Sequence, residues 1–196
     1  MIKMVIAFLI AYFIGNISPS TIMGRRSGID IKKEGSGNAG TTNALRVLGK
    51  KAAVITLCVD ILKGVVAVLI GSFAAGSVGA YGCALCVILG HIWPMVYKFK
   101  GGKGVATGLG VLCMLMPQVT GIVFLIWLVI VKLTGYVSLG SIVAAICVPV
   151  LAFIFHAPAE YLVFGVIAAL LIVVRHKANI GRLLNGTESK IKAGHH

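Results

Sequence analysis

Carboxylates are scarce in this sequence. Five Asp and Glu stand against 18 Lys and Arg in 196 residues. No stretch gathers the acidic oxygen ligands that a hard cation requires, so neither a metal nor another cofactor is expected. Histidine and carboxylate are also missing around the cysteines. Cys58, Cys83, Cys86, Cys113 and Cys147 all lie in apolar runs, and the C-x-x-C of Cys83 and Cys86 has no neighbouring ligand to complete a zinc site. They read as packing thiols. The N-terminal apolar stretch runs from Met4 through Asn16 and Pro19 without a small-residue cleavage site, which argues for a retained helix over a removed leader. No internal repeat is apparent.

What the sequence has in excess is apolar surface. Hydrophobic residues make up 59% and charged residues only 12%, and the mean hydropathy is +1.03. A soluble domain of this length cannot enclose that much apolar area, so lipid is the expected solvent and the fold class is an all-α integral membrane protein. The net charge of +13 does not point to nucleic acid, because the cations flank hydrophobic runs, where they attract anionic headgroups and set orientation. Gly194, His195 and His196 resemble a tag remnant, which leaves residues 1–193 as a single membrane domain.

A spanning helix needs about 20 apolar residues. Such runs occur at Ile2 to Met23, Ala52 to Gly71, Val78 to Tyr97 and Tyr136 to Phe155, with a shorter one at Ala159 to Val174 after a break at His156, Ala157 and Pro158. Gly104 to Val131 is uncharged for 28 residues. One helix of that length would measure about 42 Å, too long for a normal tilt, whereas a split at Met116, Pro117 and Gln118 gives two short helices. Seven spans put 16 of the 18 Lys and Arg on one face. The positive-inside rule then favours seven spans, with the N-terminus outside and the C-terminus cytoplasmic.

Three basic, glycine-rich segments remain on that cytoplasmic face. The first, Gly35 to Arg46, contains Gly-x-Gly-x-x-Gly. No apolar strand precedes it, so a dinucleotide fold is excluded by context. Glycines still let backbone N–H groups converge on an anion, with Ser36, Asn38, Thr41 and Asn43 as short polar neighbours and Arg46 as a two-pronged phosphate clamp. The second, His91 to Thr107, carries Gly101-Gly102-Lys103-Gly104. It is not a Walker A loop, since Tyr97 occupies the first glycine position, but a glycine turn opening a helix suits phosphate or acyl phosphate. The third, Arg175 to Glu188, places Arg175, Asn179 and Arg182 near i, i+4, i+7 spacing, with His176 between two cations that disfavour its charged form. Plainer readings are a basic loop lying on anionic lipid for the first segment and topology signals for the other two. Within the second span, Asp60 and Lys63 are i, i+3 and can pair, bracing the helix beneath the first segment. Ser138 and Ser141 are further polar residues at the start of the sixth helix.

Taken together, the three segments resemble the bacterial acyl-phosphate:glycerol-3-phosphate acyltransferase family, matching its motifs in order over about a fifth of the chain. Trp93 and Val96 stand where the family pattern has phenylalanine, and both stay apolar. The resemblance implies a multi-pass protein of the bacterial cytoplasmic (inner) membrane that moves a fatty acyl group from acyl phosphate to the 1-hydroxyl of sn-glycerol 3-phosphate. Lysophosphatidic acid and phosphate are the implied products, and an upstream enzyme making the acyl phosphate is an implied partner alongside the surrounding membrane lipids.

It implies a catalytic set of His176, Lys103 and Arg46. The implied substrate-binding set is Ser36, Gly37, Asn38, Thr41, Asn43, Gly101, Gly102, Ser141, Asn179 and Arg182. Ser36, Asn38, Thr41 and Arg46 would hold glycerol phosphate, and Lys103 with the Gly101 and Gly102 amides would hold the acyl phosphate and its developing oxyanion. The His-x-x-x-x-Asp of other glycerolipid acyltransferases is absent, because the fifth residue after His91, His156 and His176 is Val96, Tyr161 and Gly181. Direct attack by the glycerol hydroxyl is therefore expected, with His176 or a substrate phosphate oxygen as base. The rival class is an organic-anion or phosphate transporter, which would be expected to show a repeated fold and broken helices meeting near the midplane.

Overall fold

The computed structural model describes residues 1–191; the tag-like residues 194–196 lie outside it. The described residues form helices without strands, in two compact units, Met1–Leu115 and a second that begins at Met116.

In the first unit, α1 (Ile2–Gly15) and α2 (Pro19–Arg26) are not the single helix expected. Pro19 cannot donate a helical hydrogen bond and sits at the first position of α2, so the chain bends by 41° there. A loop leads to α3 (Thr41–Leu48), which Gly49 ends with φ of 85°. α4 (Lys50–Ile92) covers 43 residues, which as one rod would be about 65 Å long. Instead the helical geometry fails at Ala75 and Gly76, where Gly76 takes φ of 57°, and the chain doubles back as two arms, 50–74 and 77–92. The backbones of Gly71 and Gly79 touch across this reversal, leaving no room for a Cβ on either. A 3-10 turn, Met95–Tyr97, follows, and α5 (Val105–Leu115) closes the unit.

Contacts between these helices use small residues. Gly15 lies on the Gly90 backbone, Gly64 on the carbonyl of Thr107, and Gly110 on the carbonyl of Ile61. Ala7, Ala11, Ala67, Ala80 and Ala84 are buried, while Leu9, Phe13, Leu62 and Phe73 are exposed. This inverted pattern suits lipid, where apolar side chains gain nothing by leaving the surface and association depends on close backbone approach.

The second unit contains α6 (Pro117–Thr134), α7 (Val137–Ile154), α8 (Ala159–Arg175) and α9 (Lys177–Leu184). The uncharged stretch does break at Met116, with Pro117 at the first position of α6. Three helices are long and apolar enough to cross a bilayer, or five if each bent pair counts as one span.

Candidate active site

The first segment is organised around Asn43. Its amide donates to the carbonyls of Ile31 and Glu34, both at 3.0 Å, and its Oδ1 accepts the Ser36 amide at 2.8 Å. Ile31, Ala39 and Ala44 form a small core beneath the loop, with Leu48 against it. The buried Asn43 side chain is thus spent on the loop itself. These three bonds shape the segment. Gly37 takes φ of 69° beside the Lys32 carbonyl, a conformation and a space that suit glycine alone. Ser36 is exposed, Asn38 is packed against Gly40, and the Thr41 hydroxyl is buried at the start of α3 without a partner among the described residues. Arg46 lines an open recess of about 480 Å³ together with Gly28, Asp30, Glu34 and Gly35.

The second segment meets the chain that leads into the first at Tyr97, whose ring carries the Lys32 ammonium at 4.8 Å and the Arg25 guanidinium at 5.3 Å. Burial, then the Arg25 charge, pushes the Lys32 pKa down, with Lys100 adding to this and Asp30 opposing it. Lys98 and Phe99 are consecutive left-handed residues, at φ of 55° and 60°. Such backbone strain is held only where the surroundings over-determine it. Here the Phe99 amide bonds to Pro94, the Gly101 amide to the Ile92 carbonyl and the Gly102 amide to the His91 carbonyl, the last two at 3.1 Å.

The Gly101 and Gly102 amides, expected to serve substrate, are donated to the chain's own carbonyls in this structure. Their missing side chains matter as well, since a Cβ on Gly101 would overlap the His91 carbonyl and one on Gly102 the His91 ring. Gly104, with φ of 86°, then turns the chain into α5, which sets the half-buried Lys103 beside the first turn of that helix. Asp60 and Lys63 do pair, with Nζ 2.7 Å from Oδ1.

The third segment lies in the second unit. The chain bends by 58° between α8 and α9, so Arg175 does not continue the helix of Asn179 and Arg182, contrary to the spacing argument. His176 occupies the bend, 2% exposed. Its Nδ1–H donates to the Ile172 carbonyl at 2.7 Å, which places the lone pair of the neutral ring on Nε2. Asn179 and Arg182 both turn to Glu188. The carboxylate accepts from Asn179 at 2.6 Å, from the Arg182 Nε at 2.6 Å and from the Ser138 hydroxyl at 2.7 Å. Burial pushes the Glu188 pKa up, but these three bonds and the Arg182 charge outweigh it and hold the carboxyl below its ordinary value. The segment's architecture rests on Glu188, which sequence reasoning treated only as an end point. Ser141 donates to the Val137 carbonyl and receives the Trp127 indole N–H, both within its own unit.

Apolar helices joined by basic, glycine-rich loops define the class of all-helical integral membrane proteins. Comparison with known proteins is more specific. The family model "Glycerol-3-phosphate acyltransferase" matches residues 5–186. A glycerol-3-phosphate acyltransferase of Clostridioides difficile is 46% identical over 194 residues, covering 95% of each chain. Glycerol-3-phosphate acyltransferase 2 of Moorella thermoacetica is 46% identical over 187 residues, covering 95% of this chain and 96% of the relative. The crystal structure of PlsY, an integral membrane glycerol 3-phosphate acyltransferase solved in its glycerol 3-phosphate form, superposes with a TM-score of 0.92 at 38% identity, over 96% of this chain and 95% of that one. A lysophosphatidic acid form of PlsY gives a TM-score of 0.89. This chain belongs to the glycerol-3-phosphate acyltransferase family and is an integral membrane acyltransferase enzyme.

Proposed function

We propose that the donor is a long-chain acyl phosphate and that the reaction is the first acylation of phospholipid synthesis. The 1-hydroxyl oxygen of sn-glycerol 3-phosphate attacks the acyl carbonyl carbon, the bond from that carbon to the phosphate oxygen breaks, and lysophosphatidic acid and inorganic phosphate leave. His176 carries this reading, because its carbonyl-anchored Nδ1–H gives Nε2 the lone pair needed to take the hydroxyl proton. Phosphate is already a good leaving group, so positioning supplies much of the remaining rate, and a substrate phosphate oxygen is the competing base.

Arg46, with Ser36, Asn38 and Thr41, is assigned to glycerol phosphate, and Lys103 with the α5 N-terminus to the acyl phosphate and its oxyanion. Gly37 and Asn43 shape the first loop, Gly101 and Gly102 the second; Asn179 and Arg182 act on substrate while braced by Glu188. Ser141 is assigned to binding. We place the enzyme in the bacterial inner membrane as one acyltransferase domain, with seven spans, the N-terminus outside and the active site cytoplasmic. An upstream enzyme that makes acyl phosphate is its metabolic partner, and no metal takes part.

The test is purified protein with glycerol 3-phosphate and, in separate reactions, acyl phosphate, acyl-coenzyme A or acyl carrier protein thioester. Equimolar lysophosphatidate and phosphate from acyl phosphate alone, undiminished by chelator, is the expected result. Product from a thioester but not from acyl phosphate overturns the donor assignment.

A further inference from the structure

The Asp60 and Lys63 pair does more than neutralise itself. The Lys63 Nζ also lies 2.6 Å from Nδ1 of His91, 3.0 Å from the Ile17 carbonyl and 3.2 Å from the Gly15 carbonyl. Asp60 and Lys63 are each 2% exposed at the side chain, and His91 is 6% exposed. The ammonium therefore joins both arms of α4 to the end of α1. A brace confined to one helix needs none of the last three contacts.

His91 passes this anchoring on to the second segment. Nδ1 of His91 faces the Lys63 ammonium at 2.6 Å and the Asp60 carboxylate at 3.5 Å, while Nε2 abuts Gly102. The His91 carbonyl meanwhile holds the Gly102 amide, and the next carbonyl, Ile92, holds Gly101. Two flanking bonds tie the same stretch to α1, with the Tyr12 hydroxyl donating to the Trp93 carbonyl at 2.7 Å and Asn16 Oδ1 accepting the Val96 amide at 3.4 Å. The inner side of the 91–104 stretch thus rests on the buried polar cluster around Lys63, flanked by two part-buried bonds to the end of α1.

We propose that Asp60, Lys63 and His91 are positioning residues for Lys103: Asp60 fixes the Lys63 ammonium, the ammonium fixes the His91 ring, and ring and carbonyl fix the Gly101–Gly104 backbone. The inference rests on reading that turn as the phosphate-directed end of the site. Errors of about 1 Å in such a turn cost on the order of 100-fold in rate.

A double-mutant design in lipid nanodiscs with the full chain tests it. D60N/K63M removes both charges together and avoids leaving one buried alone, and K103A removes the group being positioned. The expected result is a D60N/K63M protein that folds with a lowered melting temperature, with kcat/KM at a temperature well below its melt down roughly 10- to 100-fold. Combined with K103A it should lose no more than about twofold beyond K103A alone, because the two changes disable one unit. Wild-type kcat/KM for D60N/K63M, or losses that multiply in the combined variant, overturns the triad. His91→Asn, which keeps the ion pair but withdraws the ring from Gly102, runs the same cycle with the same two outcomes if D60N/K63M does not fold. A K103A protein with unaltered KM and kcat for both substrates instead overturns the phosphate reading of the turn, and the triad with it.

Discussion

Replacing Glu188 by Ala should unfasten the third segment. The carboxylate is 5% exposed and accepts hydrogen bonds from Ser138, Asn179 and Arg182, all at 2.6 to 2.7 Å. Arg182, 36% exposed, can rehydrate and is counted as nothing. Ser138 and Asn179 are buried, and each stranded donor costs about 1–3 kcal/mol. The sum is about 2–6 kcal/mol, a loss of roughly 5–20 °C in melting temperature for a chain of this size. Glu188→Gln keeps acceptor and volume and should cost about 1–2 kcal/mol, the charge-assisted part of the bonds. The sign with pH follows from the lowered pKa. The stabilisation is fully present above the ordinary Glu value and is lost as pH falls through the depressed folded value. Thermal melts of the purified protein in detergent, followed by tryptophan fluorescence at neutral and acidic pH, read both effects. A Glu188→Ala protein that melts within a degree of wild type at neutral pH would refute this account of the segment.

Three further outcomes follow from the geometry. Asn43→Ala removes all three bonds that close the first loop and should raise KM for glycerol 3-phosphate about tenfold or more by releasing Ser36 and the loop bearing it, measurable by steady-state kinetics. Gly102→Ala drives a methyl group into the His91 ring, and its kcat/KM should fall by about 100-fold, whereas Gly181→Ala, which meets nothing nearby, should match wild type in the same assay. His176→Ala should lower kcat by about 10²- to 10⁴-fold with glycerol phosphate binding intact if it is the base. A raised KM alone assigns the proton to the substrate phosphate.

The helical, lipid-solvated architecture was legible because hydropathy runs report directly on the solvent a segment needs. The break at Met116 was legible because Pro117, a length that fits one tilted helix badly and the one-sided placement of the cations agreed. The bend before Pro19 was not read, although Pro19 itself marks it, because apolar composition continues across it. Nothing in composition signals the bend at His176, where the ring's own bond to Ile172 occupies the break. For the site, residue types suggested phosphate chemistry, but not which polar groups face inward. Asn43 and Glu188 are consumed by partners 7 to 12 and 6 to 50 residues away respectively, and pairings of that range are set by the fold. A lone acid among so many cations was the available signal for Glu188.

The reversal at Ala75 and Gly76 bears on how the chain enters the membrane. With only two non-helical residues between its arms, the hairpin offers no hydrophilic loop to be threaded across separately. Its arms must partition together, so the ribosome has to release well over forty residues before either arm can settle, and Lys63, made twenty-eight residues ahead of His91, enters the bilayer with the partner that receives it.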